Sequence, residues 1–370
     1  MISLTRRTKA ITILSITAAL ILLGAYSHAT CRTEYRQRLI VSTTTSLYET
    51  GLLDALKSEF ERNHPSINVS FISQGTGLAL QTAMRGDADL ILVHDPAREF
   101  KFLKDGYGVN RKIVAYNFYV VVGPGEDSAK VEGALSAVEA FKKIKEAGEK
   151  KTALWVSRGD DSGTHAREKD VWKDAGFNVS ELRNMDWYLE AGSGMAATLK
   201  LADEKEAYTL SDLGSYLNNY VSGNIKLKAL VETGKDLLNV YSVIAVNPRK
   251  SNALNLKFEA SKEFIKFLVS DRAQMLIEEF GEPRLGKPLF HSYIQLMRHD
   301  DQKTMRWIQE LAYFNGSECP PEYRYQAEEL YQIKVFGNLR TSVLAATVYL
   351  ENSCIRSLRK LKILLLDRVI

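Results

Sequence analysis

The sequence predicts an α/β protein of two lobes, each with a mixed sheet flanked by helices, joined by two extended hinge strands. One observation is a repeated order of buried strand, hydroxyl- or glycine-rich turn and helix between residues 38 and 216. Such alternation indicates a sheet with helices on its faces. The other is a pair of similar apolar stretches, 116–124 and 241–248, that both end at a proline. Two lobes joined by such strands can close around a ligand by hinge motion.

These stretches divide the chain into predicted domains. The first lobe comprises residues 38–115 plus 248–293, and the second lobe comprises residues 116–247. If the two stretches are unrelated core strands, this division fails. Residues 294–370 form a C-terminal extension that is expected to be helical. Its role is open between packing on the lobes, lying on a membrane surface as an amphipathic helix, docking on a partner and having no stable fold.

Composition excludes several classes of protein. The chain has 370 residues, 45% apolar and 25% charged, which is enough for two cores, and its net charge of +4 is too small to indicate nucleic acid. No Cys/His metal cluster, Walker loop or dinucleotide fingerprint occurs, so neither a metal nor a cofactor is predicted. The cysteines are Cys31, Cys319 and Cys354. Residues 32–318 contain no cysteine, so this main body does not depend on disulfides.

Residues 1–31 predict export. Three cations, Arg6, Arg7 and Lys9, precede an uncharged apolar run over residues 10–25, which is the order of a secretory signal. This run is short for a stable membrane span. We expect a periplasmic or extracellular protein. Cleavage near Ala29, lipidation of Cys31 and retention as a membrane anchor remain open.

A run of hydroxyl residues follows the first strand. Residues 38–41 are typical of a buried strand, residues 42–46 all carry hydroxyls, and residues 52–62 have helical spacing. A loop here would present O–H and backbone N–H donors together, which suits a ligand that only accepts hydrogen bonds. The alternative is a helix N-cap in a solvated loop. The candidate binding residues are Thr43, Thr44, Thr45 and Ser46.

Similar junctions recur along the chain. Thr76 lies in a glycine-flanked turn between a strand and a helix, and Gly194 lies at a later helix start of the same kind. Both are candidate ligand contacts. The strand over residues 87–93 ends at His94, for which we expect a structural hydrogen bond rather than a role as ligand or base.

The turn over residues 157–165 carries the strongest anion-binding signal. A buried strand over 153–156 precedes it and a helix over 166–175 follows it. The unpaired N–H groups and the positive dipole end of that helix attract an oxyanion, and Arg158 adds a charged, forked donor. The candidates in this turn are Arg158, Ser162, Gly163 and Thr164.

The same turn contains the residue types of a hydrolase triad. Ser162, His165 and Asp160 lie close in sequence, but three residues of one turn seldom reach triad geometry. The chain also lacks a nucleophile elbow that opens a helix. An enzyme is therefore not predicted.

Several motifs occur in one order along the chain: 42–46 with 51–53, 75–77, 86–89, 93–96, 106–111, 157–165, 192–195 and 208–210. Together they resemble one family, the substrate-binding proteins of tungstate ABC transporters, over about residues 38–293. The family lies within the periplasmic and extracellular solute-binding proteins. The resemblance implies a type II, two-lobed protein that captures tungstate, or molybdate, and delivers it to a membrane permease. It also implies that residues 43–46 and Arg158 are the main oxyanion contacts. We expect a monomer, although the sequence itself does not show the oligomeric state.

The chain departs from the family pattern at Leu213, where the family usually has Arg, and at Ser215 in place of Thr. If the family's Arg contacts the anion, the affinity or selectivity for the anion differs in this chain. If that Arg only pairs with a neighbouring carboxylate, little changes. Phosphate is the nearest rival ligand, because phosphate-binding proteins also have an Arg, an Asp and Ser-Gly-Thr in a comparable turn. Phosphate at neutral pH carries a proton that an aspartate can accept, whereas tungstate has none. Asp160 and Asp161 should therefore turn away from a tungstate ion. The sequence does not rank tungstate against molybdate.

Overall fold

The computed structural model describes residues 36–250, 256–299 and 301–332. The predicted leader with Cys31 lies outside the described residues, and so does the end of the extension with Cys354. Within the described ranges, no helix combines the length and the apolar character that crossing a membrane requires.

Ten strands carry the fold in the described part of the chain. In chain order they are β1 (Gln37–Thr44), β2 (Ile67–Gln74), β3 (Leu90–Val93), β4 (Gly108–Gly123), β5 (Trp155–Ser157), β6 (Tyr188–Glu190), β7 (Thr209–Asp212), β8 (Lys228–Val231), β9 (Leu238–Val246) and β10 (His291–Ser292).

Fourteen α-helices surround these strands in the same ranges. They are α1 (Thr45–Glu49), α2 (Leu52–Asn63), α3 (Thr76–Arg85), α4 (Pro96–Lys104), α5 (Ala137–Glu149), α6 (Gly163–Asp174), α7 (Val179–Leu182), α8 (Met195–Glu204), α9 (Leu213–Val221), α10 (Phe258–Leu268), α11 (Asp271–Glu279), α12 (Glu282–Leu285), α13 (Tyr293–Arg298) and α14 (Gln302–Ala312). Short 3₁₀ turns occur at Lys235–Leu237, Pro321–Tyr323 and Glu328–Tyr331.

The sheet is mixed, as predicted, but its two halves are continuous. The order β10-β4-β9-β3-β1-β2 combines parallel β1–β2 and β1–β3 pairs with antiparallel β3–β9 and β4–β9 pairs. The long strand β4 pairs with β9 as far as Phe118 and with β7 from Tyr119 onwards. The expected pair of sheets is thus one eight-stranded sheet that passes between the halves along β4. A separate parallel pair, β5–β6, completes the strands.

Separate hydrophobic clusters lie on either side of this change of partner. One packs α3 and α4 against β3 and β9, with Ala79, Phe102 and Ile244 buried in it. The other is built around Phe141 and Trp172, whose ring centroids are 4.5 Å apart. Distinct cores of this kind fit the two-lobed class. The lobe limits given above remain a prediction.

The chain beyond residue 293 packs on the two long strands, and its contacts with β4 reach Tyr325. Side chains of α13 and α14, including Tyr293 and Ile308, join a buried cluster with β4 and β9. Arg111 on β4 is fully buried; it pairs with Glu99 at 2.8 Å and donates to the carbonyl of Glu318 at 2.7 Å. The adjacent Lys112 pairs with the Glu318 carboxylate. This part of the extension therefore belongs to the packed body.

Candidate functional site

The hydroxyl run after the first strand is not the loop that the sequence suggested. Strand β1 continues through Thr44, and α1 begins directly at Thr45. Thr44 caps this helix, because its Oγ1 accepts a hydrogen bond from the N–H of Leu47 at 3.3 Å. Serine and threonine suit both a strand end and an N-cap, so composition could not separate these outcomes.

The residues of this run differ in what they can offer a ligand. The Thr43 hydroxyl donates to the Leu92 carbonyl at 2.8 Å inside the sheet, so its hydrogen is already in use. Thr45 is half-buried at the first position of α1, and Ser46 is buried one residue later. The side-chain donors of this run therefore come from Thr44, Thr45 and Ser46.

Thr76 opens helix α3 with a buried hydroxyl that has no partner. The residue is 1% exposed, and its Oγ1 makes no hydrogen bond with any described residue. Leaving a buried hydroxyl unpaired costs about 1–3 kcal/mol. Such an atom is expected where a ligand completes the site.

Helix α6 begins against the same point. Ser162 caps it through a bond from the His165 N–H at 3.3 Å, and Gly163 is its first residue. A Cβ on Gly163 would lie 3.0 Å from His94 Cε1 and 3.5 Å from Thr76 Oγ1. The absence of a side chain therefore lets the start of α6 approach the start of α3.

Arg158 follows β5 and is 5% exposed. Its Nε donates to Asp160 Oδ2 at 2.8 Å, and one of its terminal nitrogens lies 3.5 Å from Thr164 Oγ1. Behind it, buried Glu168 accepts from the Ser157 hydroxyl at 2.9 Å and from the Arg158 N–H at 3.3 Å. Burial raises the pKa of Glu168, which its hydrogen-bond donors oppose. These bonds fix the strand end that carries the guanidinium.

The two aspartates of this turn pair with neighbouring cations and backbone groups. Asp160 holds Arg158 and accepts from the Ser162 N–H at 3.1 Å. Asp161 is exposed and accepts from Lys169 at 3.0 Å, which lowers its pKa. It also lies 3.6 Å from Arg98 on α4. Among the described contacts, neither carboxylate forms a hydrogen bond with Thr76 or His94.

His94 lies at the centre of this cluster. Its Nε2 is 3.2 Å from Thr44 Oγ1 and 3.5 Å from Ser46 Oγ, while Nδ1 lies 3.0 Å from Asn239 Oδ1. Burial lowers the pKa of His94, an effect that the charge of Asp212 opposes. The expected structural hydrogen bonds are present. The contact with Gly163 is an addition that sequence reasoning missed.

Sequence reasoning also did not consider Asp212 as a site residue. It caps α9, with Oδ1 accepting from the Ser215 N–H at 2.8 Å, while the buried Oδ2 accepts nothing from the described residues. Burial, followed by the charge of Asp212, raises the pKa of Glu49 on α1. The signal that the sequence offered for Asp212 was a carboxylate at the end of a short strand.

The candidate Gly194 lies outside these contacts. It caps α8, where an added Cβ would meet nothing within 4 Å, and none of the contacts above reaches it.

The residue types of a hydrolase triad in the turn make other hydrogen bonds. The Ser162 hydroxyl accepts from a backbone N–H, and His165 Nδ1 accepts from the Asp161 N–H at 2.9 Å. No bond joins the Ser162 hydroxyl to the His165 ring among the described contacts.

A mixed α/β fold with distinct cores, in which the N-termini of α3 and α6 meet at a donor-lined point, is typical of one class, the two-lobed solute-binding proteins. Comparison with known proteins agrees. A family model described as "PBP superfamily domain" matches residues 25–272.

Individual relatives define the family more narrowly. The tungstate-binding protein TupA of Peptoclostridium acidaminophilum is 41% identical over 261 residues, which cover 70% of this chain and 87% of that protein. The structure of the tungstate-binding protein TupA from Desulfovibrio alaskensis G20 is 37% identical, with a TM-score of 0.61, over 69% of this chain and 98% of that one. The tungstate ABC transporter structure from Geobacter sulfurreducens is 39% identical, with a TM-score of 0.58, over 66% and 98% of the two chains.

The chain belongs to the PBP superfamily and, within it, to the family of tungstate ABC transporter substrate-binding proteins. This confirms the family and the fold class that the motifs indicated. The family is one of solute-binding proteins rather than of enzymes.

Proposed function

We propose that this protein captures tungstate between its two lobes, at the point where α1, α3 and α6 begin, and delivers it to an ABC transporter permease. The observation that carries the proposal is the buried, unpartnered Thr76 hydroxyl, which lies against Gly163 at the start of α6. A tetrahedral oxyanion supplies the acceptor that this hydroxyl lacks. The names of the relatives support the identity of the anion.

The remaining donors follow from the geometry. Arg158 supplies the positive charge, and Asp160 fixes the direction of its guanidinium through the 2.8 Å bond to Nε. Thr44, Thr45, Ser46 and Thr164 supply hydroxyls, and the N–H groups near Gly163 add the positive end of the α6 dipole. Gly194 would add a backbone N–H at the start of α8. A fully deprotonated dianion accepts from all of these donors without returning a proton.

Closure of the lobes explains how the ion is held. The contact of Gly163 with His94 and Thr76 joins residues of the two lobes, so the donors meet only when the lobes are closed. Opening about the hinge strands separates them and releases the ion at the permease. The protein would act as an exported monomer without enzymatic activity. Molybdate, of nearly the same size and charge, would enter the same site.

One observation favours a second candidate ligand. The free Oδ2 of Asp212 could accept the proton of hydrogen phosphate, which tungstate does not carry. Isothermal titration calorimetry of the purified protein with tungstate, molybdate, sulfate and phosphate separates the candidates. We expect tungstate to bind tightly and phosphate to bind weakly or not at all. If phosphate binds more tightly than tungstate, phosphate becomes the proposed ligand instead.

A further inference from the structure

His94 takes part in a hydrogen-bond chain whose polarity can be read from one end. The Leu289 carbonyl can only accept, and Asn117 Nδ2 donates to it at 3.1 Å. Asn117 Oδ1 therefore accepts from Asn239 Nδ2, also at 3.1 Å. This leaves Asn239 Oδ1 facing His94 Nδ1 at 3.0 Å. An amide oxygen repels a nitrogen lone pair, so this contact assigns the hydrogen to His94 Nδ1. The Tyr119 hydroxyl, 3.2 Å from the same nitrogen, then faces it as an acceptor.

The fixed tautomer has a consequence on the other side of the ring. In the neutral imidazole only one nitrogen carries hydrogen, so Nε2 is an acceptor. Its neighbours are the hydroxyls of Thr44, at 3.2 Å, and of Ser46, at 3.5 Å. One of these hydroxyls must turn its hydrogen towards His94. In that state the cluster has one donor fewer for an anion.

The charges around His94 make a second proton favourable once an anion arrives. Burial disfavours the imidazolium in the free protein, and a dianion placed beside it reverses this preference. The charged groups that face the ring carry one positive and two negative charges, so the positive charge of Arg158 is already matched before a dianion enters. The groups that face His94 are Arg158, Asp95 and Asp212, with the phenols of Tyr119 and Tyr241.

We propose that His94 takes up a proton when the oxyanion binds, and that this proton redirects the Thr44 and Ser46 hydroxyls towards the ligand. With hydrogen on Nε2, the ring donates to these oxygens instead of accepting from them, and their hydrogens become free for the anion. His94 is then a positioning residue that also neutralises one of the two ligand charges. This inference rests on the proposed binding of tungstate.

The sign of the pH dependence follows. Burial holds the pKa of His94 below 6.5 in the free protein, and the bound dianion raises that pKa. Between the free and bound values, each binding event takes up a proton, and affinity falls as pH rises. The limiting slope is about tenfold per pH unit.

Calorimetry measures the proton directly. Tungstate is titrated at pH 7.5 in Tris and in PIPES, and the difference in heat between the two buffers gives the number of protons taken up. We expect about one proton per tungstate when the pH lies inside the window. Repeating the titration between pH 7 and 8.5 should show the affinity falling.

The same substitution at two buried histidines isolates the source of the proton. His94→Asn keeps an amide donor for Asn239 but cannot become charged, so the proton uptake should disappear. The matched His165→Asn keeps an acceptor for the Asp161 N–H, and the uptake should remain. Should His94→Asn fail to fold, Asp212→Asn provides a second route, because removing that negative charge should lower the uptake at pH 7.5.

The two claims fail separately. Wild-type protein that binds tungstate without taking up a proton, or His94→Asn protein with undiminished uptake, would overturn the role of His94 alone. Wild-type protein that does not bind tungstate at all would overturn the proposed function, and this inference with it.

Discussion

Replacing Arg158 with alanine should cost most of the affinity for tungstate. The side chain is 5% exposed, and Asp160 orients it at the point where the lobes meet. In Arg158→Ala the buried dianion would lose its guanidinium partner. Breaking a buried charge pair by removing one partner costs about 3–5 kcal/mol. At about 1.4 kcal/mol per tenfold, the Kd should rise about 100- to 4,000-fold.

A second arginine provides the matched control. Arg98 lies near the same turn, but its side chain is 31% exposed and 3.6 Å from Asp161. Exposed pairs of this kind contribute at most about 1 kcal/mol, so Arg98→Ala should raise the Kd by no more than about fivefold. Arg158→Lys keeps the charge without the planar fork and should fall between the two alanine variants.

The assay is calorimetric titration of each variant with tungstate, after circular dichroism has shown native secondary structure. The reasoning about Arg158 is refuted if its replacement by alanine costs less than about 0.5 kcal/mol, the range of an exposed ion pair. An equal loss for Arg98→Ala would also refute it, because burial would then not decide the effect.

Three further predictions test other parts of the structure. Thr76→Val removes an unpaired hydroxyl whose burial costs about 1–3 kcal/mol, so the free energy of unfolding without anion should not fall, while tungstate affinity falls by about 1.5–3 kcal/mol; an unchanged Kd would contradict this. Gly163→Ala places a Cβ 3.0 Å from His94 Cε1, so His94 must shift by a few tenths of an ångström and tungstate affinity should fall by about 1–3 kcal/mol in calorimetry; an unchanged Kd would exclude the effect. Glu318→Ala removes a buried carboxylate that pairs with Lys112 and accepts from the Ile113 N–H, and it should lower the free energy of unfolding by about 3–5 kcal/mol in urea. The control Glu310→Ala, with a half-exposed carboxylate, should change it by less than about 1 kcal/mol, and equal losses would count against a special role for the buried pair.

Strands and helix starts were predictable because short apolar runs and capping residues are local signals. The buried run over residues 87–93 contains β3, and the turn at 157–165 contains the start of α6. Boundaries were less certain. The hydroxyl run at 42–46 divides between β1 and α1 because the pairing of Thr43 with Ser73 extends the strand, and that pairing is a long-range contact.

The assembled site was not predictable, because it depends on contacts between distant residues. Gly163 meets Thr76 only when the hinge strands bring two helix starts together. The polarity of the chain that ends at His94 depends on Asn117 and Asn239 being opposite each other in the β4–β9 register. Nothing in either neighbourhood of the sequence indicates that register. The sequence therefore showed which kinds of hydrogen-bond donor the site contains. It did not show which group each donor faces.

A crystal structure of the protein grown with tungstate tests the central claim most directly, because the anomalous scattering of tungsten locates the ion without ambiguity. We predict a single strong peak between Thr76, Gly163 and Arg158, with hydroxyls, backbone N–H groups and the guanidinium as its contacts. A peak elsewhere, or an aspartate oxygen in contact with the ion, would contradict the account.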